Sequence, residues 1–197
     1  MSWIESGIKF DFPIDFSVEK FDETNFYKNS FTKLPDGKGV DFVAKNTNVF
    51  VMIEVKNCRG HENDNRWRIR PNNRKRTTTA TTVNTEGRDS LDIELVQKVT
   101  MSLACLCGAN SKPGFQSSDR LKPYFEMISN SLVSTGRNKI KVILFLEGDF
   151  STKSHPQKKI MKDLQDSIKA KLSWLNCHVL VENYDTHFRD IYQASIV

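Results

Sequence analysis

No apolar run in this chain approaches the roughly 20 residues that a membrane-spanning helix needs. The opening Met1-Ser2-Trp3-Ile4-Glu5 lacks the charged-then-apolar pattern of a secretory leader. Both absences point to a soluble, cytoplasmic protein. Cysteine is scarce, four in 197 residues. Cys105 and Cys107 are two apart on an expected helix, where they point in different directions, and Cys177 falls in an expected strand. Cys58 and His61 have a ligand-like spacing, but no second pair completes a zinc site. Buried free thiols in a reducing cytoplasm are the expectation. The four histidines, His61, His155, His178 and His187, show no pairing with a nucleophile, so triad chemistry has no support, and glycosidase chemistry has none either. No internal repeat appears, and no linker divides the chain, so residues 1–197 read as one domain.

The chain does carry aromatics, thirteen of them phenylalanine, and a net charge of +5. That charge permits nucleic-acid binding without requiring it. Its distribution says more. The stretch Arg66-Trp67-Arg68-Ile69-Arg70-Pro71-Asn72-Asn73-Arg74-Lys75-Arg76 holds six cations in eleven residues and no acid. A threonine-rich tract, 77–82, follows. Residues 58–89 therefore read as a basic, flexible insertion of low apolar content, and such long loops are functional or disordered.

The chemistry concentrates just upstream. Gly39-Val40-Asp41-Phe42-Val43-Ala44-Lys45 and Val49-Phe50-Val51-Met52-Ile53-Glu54-Val55-Lys56 are rich in β-branched and aromatic residues, and Asn46-Thr47-Asn48 between them is turn chemistry. A hairpin with its tip at Thr47-Asn48 opposes residues whose numbers sum to 95, which sets Asp41 across from Glu54. Their Cβ atoms would be roughly 5 Å apart. Glu54 and Lys56, two apart, leave the same face. Val40 with Val55, Phe42 with Ile53 and Ala44 with Val51 would make the other face apolar. A one-residue slip would turn Asp41 into the core, so the pattern itself specifies the register. Like charges directly opposite each other destabilise a ladder. A divalent cation between them removes that cost, and hard oxygen ligands suit Mg²⁺ or Mn²⁺.

Asp41, twelve intervening residues, then Glu54-Val55-Lys56 resembles the PD-(D/E)xK, or restriction-endonuclease-like, nuclease superfamily. In that family the Asp and Glu bind metal and the Lys assists the attacking water. The resemblance implies an α/β fold, a restriction-endonuclease-like αβββαβ core in which a central mixed sheet is flanked by helices, here with a C-terminal helix-strand addition. Pro35-Asp36 matches the family's name better, but Asp36-Gly37 reads as a turn pair, so Asp41 is the expected ligand.

Elsewhere, Ser17 to Tyr27 reads as a short helix capped by Ser17. Its Glu19 and Glu23 suit a solvated face, although the resemblance would also allow an acid there to approach the metal. A strand near Ser30 to Leu34 is needed to complete the core. A helix from Asp89 or Ser90 to Cys107, stopped by Gly108, carries Leu95, Val99, Leu103 and Leu106 on one stripe and Glu94 and Lys98 as an i,i+4 pair. Gln97 borders the stripe. The superfamily often sets a polar side chain of this helix beside the catalytic strands, so Gln97 joins the candidate catalytic residues. Pro123 opens a helix to about Val133. Lys139 to Leu146 ends in the apolar run of a buried central strand. Pro156 opens a basic amphipathic helix to Leu172 with Lys158, Lys159, Lys162, Lys169 and Lys171 outward. Cys177 to Glu182 is a last strand, and His187 to Ala194 a terminal helix.

The implied activity is that of a divalent-metal-dependent endonuclease acting on phosphodiester bonds, of DNA rather than RNA. Asp41, Glu54 and a backbone carbonyl at Val55 would hold Mg²⁺ or Mn²⁺, which polarises the phosphoryl group and activates a water. Lys56 would stabilise developing charge or orient the water, with a base role open to it if desolvated. Arg66, Trp67, Arg68, Arg70, Arg74, Lys75 and Arg76 would follow the nucleic-acid backbone, with Trp67 available to stack on a base. A homodimer would suit double-strand cutting. The alternatives are a catalytically inactive nuclease-fold module for nucleic-acid binding or assembly, and a basic nucleic-acid binder of unrelated fold, which leaves the facing acids unexplained.

Overall fold

The computed structural model describes residues 1–74, 88–112 and 120–197. Its centre is the expected hairpin. Asn46 makes the turn, its side-chain oxygen accepting the N–H groups of Asn48 (2.9 Å) and Val49 (3.1 Å). Strand β4 (Phe42–Lys45) then pairs antiparallel with β5 (Phe50–Asn57) in the register Phe42 to Ile53 and Ala44 to Val51. Those pairs sum to 95, as the alternation predicts. The ladder ends at Phe42, however. Val40 turns to the opposite face and its N–H bonds the Ser102 hydroxyl at 3.0 Å, so it does not pair with Val55.

Around this hairpin the architecture is mixed α/β. The main sheet has five strands. β3 (Ser17–Lys20) pairs antiparallel with β4. On the far side β5, β6 (Ile140–Glu147) and β7 (Cys177–Glu182) run parallel. Parallel neighbours need crossovers. Helix α3 (Leu91–Asn110) lies between β5 and β6 in sequence, and α6 (Gln157–Lys171) between β6 and β7. The other described helices are α1 (Asn25–Asn29), α2 (Glu62–Asn65), α4 (Lys122–Ser129) and α5 (Ser131–Ser134).

Each face of the sheet has its own core. Phe50, Met52, Val142 and Leu144 point to the helices, packing with Leu95, Val99, Leu164 and Ile168. Val51, Ile53, Ile143 and Phe145 point the other way, onto a second sheet. That sheet is three-stranded, in the order β1 (Ser2–Glu5), β2 (Ile8–Asp11) and β8 (Gln193–Ile196). Ser6 and Gly7, both at positive φ, form the two-residue turn between β1 and β2. The phenylalanines of the N-terminal segment become an aromatic wedge, with Phe10 packed against Phe42, Phe145 and Tyr192 at 5.1–5.6 Å between ring centroids. Helices therefore cover one face of the central sheet, and a sheet covers the other.

Several expectations need correction. Ser17 opens a strand rather than a helix, and Val18 alternates inward with exposed Ser17. The missing strand is β3, while Phe31–Lys33 is a 3-10 turn. Helix α3 runs through Gly108 to Asn110, because Ala109 is still buried against the core. The Pro123 helix breaks at Asn130, whose side chain caps Leu132. His187 to Ala194 is turn followed by β8, since Tyr192 and Ala194 are needed on the second core and β2 offers a pairing edge. Cys107 is exposed, whereas Cys58 and Cys105 are buried.

Candidate active site

Asp41 arrives at the site through a tightly packed approach. A Cβ on Gly39 would lie 2.7 Å from the Phe21 ring and 3.0 Å from that of Tyr27, so only glycine fits there. The Gly39 N–H bonds the Tyr27 hydroxyl at 2.9 Å. With Val40 tied to Ser102 of α3, Asp41 is delivered where the β4 ladder stops. Its Oδ2 accepts the Val55 N–H at 2.7 Å, substituting for the missing strand. A strand residue exchanges N–H and C=O on the same edge, so the Val55 carbonyl is turned toward Asp41 as well. Asp36, by contrast, is exposed in a turn at positive φ.

Glu54 comes from the middle of the central strand and is only 1% exposed; Asp41 is 7% exposed. An exposed edge hairpin is thereby ruled out as the origin of these acids. Lys56, on the same face as Glu54, places its ammonium 2.6 Å from Glu54 Oε1 and 3.0 Å from Glu94 Oε1. Lys98 lies 2.6 Å from Glu54 Oε1 and 3.7 Å from Asp41 Oδ1. Arg68 bonds Glu94 Oε2 at 2.5 Å. Glu54 Oε2 is buried and has no hydrogen-bond donor among the described residues. Above this cluster opens a cleft of about 930 Å³ lined by Val55, Lys56, Trp67, Arg88, Lys98 and Asp22 among others.

Helix α3 supplies residues that sequence reasoning placed wrongly. Gln97 is exposed and takes no part in the cluster. Glu94 and Lys98 do, and with Ser102, which holds the Val40 N–H, they lie at i, i+4 and i+8 on one helix face. They form a polar stripe beside the apolar one of Leu95, Val99 and Leu106. Glu94 and Lys98 do not serve each other as an i,i+4 pair; each is drawn to a strand residue instead. The signal that finds them is that polar stripe, since Gln97 lies about 100° around the helix from Lys98. In the N-terminal segment Glu19 bonds Arg120 and Glu23 bonds Lys20. Of the acids in that segment Asp22 lines the cleft, with Oδ1 buried.

Over residues 24–196 the chain matches the model of a family of unknown function (DUF6661). The chain belongs to the DUF6661 family. No curated protein matches it, and no solved structure does.

In this DUF6661 chain the charges are unevenly strained. Burial, then the neighbouring Glu54 carboxylate, push the Asp41 carboxyl up to about 7, against the opposing pull of Lys98, the Val55 N–H and Lys56. Burial would also raise Glu94, but Lys56 and Arg68 outweigh it and hold that carboxyl at about 2. For Lys56, burial favours the neutral amine, yet Glu54 and Glu94 keep the ammonium above its ordinary value. A base role for Lys56 is therefore not supported by its surroundings. Burial, then Glu5, raise Asp22.

Fit to a divalent cation can be judged from these residues. Two buried carboxylates repel each other, one of their oxygens lacks a donor, and a backbone carbonyl faces them; hard oxygen ligands of this kind suit Mg²⁺ or Mn²⁺. Among the described residues no three His, Cys, Asp or Glu side chains converge as a ligand group, so the donors those residues would offer a cation are this pair and the Val55 carbonyl.

The basic stretch divides in this DUF6661 member. Residues 58–74 fold onto the body instead of forming a free loop. Leu91 donates its N–H to the Arg68 carbonyl and Ser90 to that of Asn73, both at 2.7 Å. Asp92, fully buried, accepts from Asn72 N–H, Ser90, Ser167 and Lys171, which removes Lys171 from the solvated face of α6. Half-buried Trp67 lines the cleft. Arg68 is 6% exposed and committed to Glu94, so it buttresses the site and does not reach outward to a phosphate. Arg66 and Arg70 border a separate depression beside Phe150 and His155, and Arg74 is exposed. Lys75, Arg76 and the threonine tract lie outside the described residues.

Proposed function

We propose that the chain is a divalent-cation-dependent nuclease that hydrolyses phosphodiester bonds, with DNA rather than RNA as its substrate. The observation that carries this is the buried Asp41–Glu54 pair, joined through Lys56 and Lys98 to a cleft that those two lysines line together with Trp67 and Arg88. The strand order supports the same reading. An antiparallel β3–β4–β5 meander, a helical crossover and parallel β6 are what a restriction-endonuclease-like core calls for. One departure stands: a β-hairpin, not a helix, precedes β3, and α1 follows it.

Asp41, Glu54 and the Val55 carbonyl would hold the cation, which when bound supplies polarisation of the phosphoryl group and a more acidic water. Lys56 keeps its proton and donates to the charge that grows on the phosphoryl oxygens. Glu94 and Arg68 fix the Lys56 ammonium in place, and the packed sheet below excludes water. Trp67 offers a stacking surface for an unpaired base, and Arg88 a contact for the backbone. No helix among the described residues is long and apolar enough to cross a membrane.

One observation favours the alternative of a binding module that does not cut: the Lys98 ammonium already sits against both acids. Incubating supercoiled plasmid, single-stranded DNA and RNA with Mg²⁺, Mn²⁺ or EDTA separates the two. The nuclease reading expects strand breaks that require the cation on at least one substrate. Retention of nucleic acid with no cation-dependent cutting of any of the three would replace it with the binding module.

A further inference from the structure

The Lys98 ammonium lies where a cation shared by Asp41 and Glu54 would lie. It is 2.6 Å from a Glu54 oxygen and 3.7 Å from an Asp41 oxygen. Lys56 is different, because it divides its bonds between Glu54 and Glu94. Once Asp41 is ionised the cluster is balanced: Asp41, Glu54 and Glu94 face Lys56, Arg68 and Lys98, three of each sign. A divalent ion entering this arrangement would add two charges to a neutral, buried site, which is costly unless a cation leaves or an anion arrives.

Lys98 is the group able to leave. Its flexible four-carbon stem springs from α3 at the cleft wall, and it makes no bond to Glu94 or Arg68. Asp22 lines the same cleft; its Oδ1 is buried without a hydrogen-bond donor among the described residues, and it already feels the Lys98 charge. The lining of the cleft therefore offers the ammonium another carboxylate, and a substrate phosphate would offer a further acceptor.

We propose that Lys98 is a built-in competitor for the divalent cation, occupying the position between Asp41 and Glu54 until a phosphodiester in the cleft takes up its ammonium. This inference rests on the nuclease reading of the acid pair. Its consequence is a site that loads metal poorly by itself and well with nucleic acid present, so that the cation and the substrate bind cooperatively. Coupling of this kind between two ligands is commonly worth about 5- to 150-fold in affinity.

Titration calorimetry with Mn²⁺ tests it on the full chain, with wild type, Lys98→Met and Lys98→Gln compared after thermal melts establish that each is folded. Glu54 keeps Lys56 in both variants, so neither leaves that acid alone. Lys98→Met is expected to bind Mn²⁺ at least about tenfold more tightly than wild type in the absence of nucleic acid. A single-stranded oligonucleotide with phosphorothioate linkages should tighten Mn²⁺ binding to wild type and change that of Lys98→Met less than about threefold. Equal or weaker Mn²⁺ binding in both variants overturns the competitor role and leaves the metal site standing. If neither wild type nor the variants show saturable binding that Glu54→Gln removes, the cation reading itself fails and the competitor role with it.

Discussion

Asp41→Asn is expected to make the cation-free protein more stable at pH 8 and to leave it unchanged near pH 3.5. The Asp41 carboxyl is raised from an ordinary value of 3.8 to about 7 in the folded chain. Between those values the native state holds a proton that the unfolded chain has released, so stability falls as pH rises through the interval. The neutral acid's contribution is complete below the unfolded value and is gone above about 7. A tenfold difference in proton affinity between the two states is worth about 1.4 kcal/mol, and the interval spans about three such steps, so a gain of roughly 4 kcal/mol is expected at pH 8, or roughly 8–16 °C in Tm for a chain of this size. Asparagine keeps an oxygen for the Val55 N–H, so the hydrogen bond that positions the residue survives. Melting curves of both proteins from pH 3.5 to 8, in EDTA, provide the check. Identical profiles would mean that Asp41 carries no penalty for facing Glu54.

The opposite sign is expected at Glu94. Glu94→Gln removes the charge that holds both Lys56 and Arg68, and Arg68 is nearly fully buried. Breaking a buried pair from one side costs about 3–5 kcal/mol because the remaining charge is left without a partner. A fall in Tm of roughly 10 °C follows at pH 7. The carboxyl is held at about 2 in the folded chain, so this contribution is present above the ordinary carboxylate range and disappears only as pH falls toward 2. Cleavage should decline along with stability, although Glu94 is not among the proposed metal ligands, because Lys56 loses its second anchor. Gln97→Ala, on the same helix but exposed, should stay within about 0.5 kcal/mol of wild type. Equal effects at the two positions would dissolve the distinction drawn between them.

The contrast between Glu94 and Gln97 also marks where sequence reasoning ended. The hairpin register was legible because Asn46 and the alternation of Phe42, Ala44, Val51 and Ile53 are local, and a slip would bury a charge. The nearness of Asp41 to Glu54 followed from it, although the ladder stops at Phe42 and the two acids meet through the Lys98 ammonium instead of as a strand pair. Buried β6 and the amphipathic α6 were legible for the same reason, their periodicity being strong over many residues. The second sheet was not. β1, β2 and β8 are four residues each, and β8 pairs with a strand nearly the whole chain length away; nothing in Gln193–Ile196 alone distinguishes it from a turn or a short helix. Val40 shows another limit, since its turn to the helical face depends on Ser102, 62 residues downstream. In α3 the apolar stripe was read correctly. Which polar neighbour of that stripe faces the strands depends on helix rotation, and the acids Glu54 and Asp41 drew Lys98 rather than Gln97.

Arg68 makes a related point about composition. Six cations in eleven residues suggest one basic surface. Folding assigns Arg68 to a carboxylate inside the site, Arg66 to the Asn63 side chain and Arg70 and Arg74 to solvent. Charge content predicted a polyanion as partner; it did not predict that one of the arginines would instead hold the acid–lysine cluster together.

We propose that Asp41 and Glu54 act together in cation-dependent cleavage of a phosphodiester. The most direct test is the rate of cleavage by wild type and Glu54→Gln in Mn²⁺, on whichever of plasmid, single-stranded DNA or RNA the wild type cuts, with both proteins shown to be folded and an EDTA control beside each. A loss of at least about 100-fold is expected for Glu54→Gln, the scale of removing one preorganised group at a reacting centre, with wild type in EDTA falling to the same residual rate. Cleavage by Glu54→Gln within about threefold of wild type, or cleavage by wild type that survives EDTA, would contradict the account.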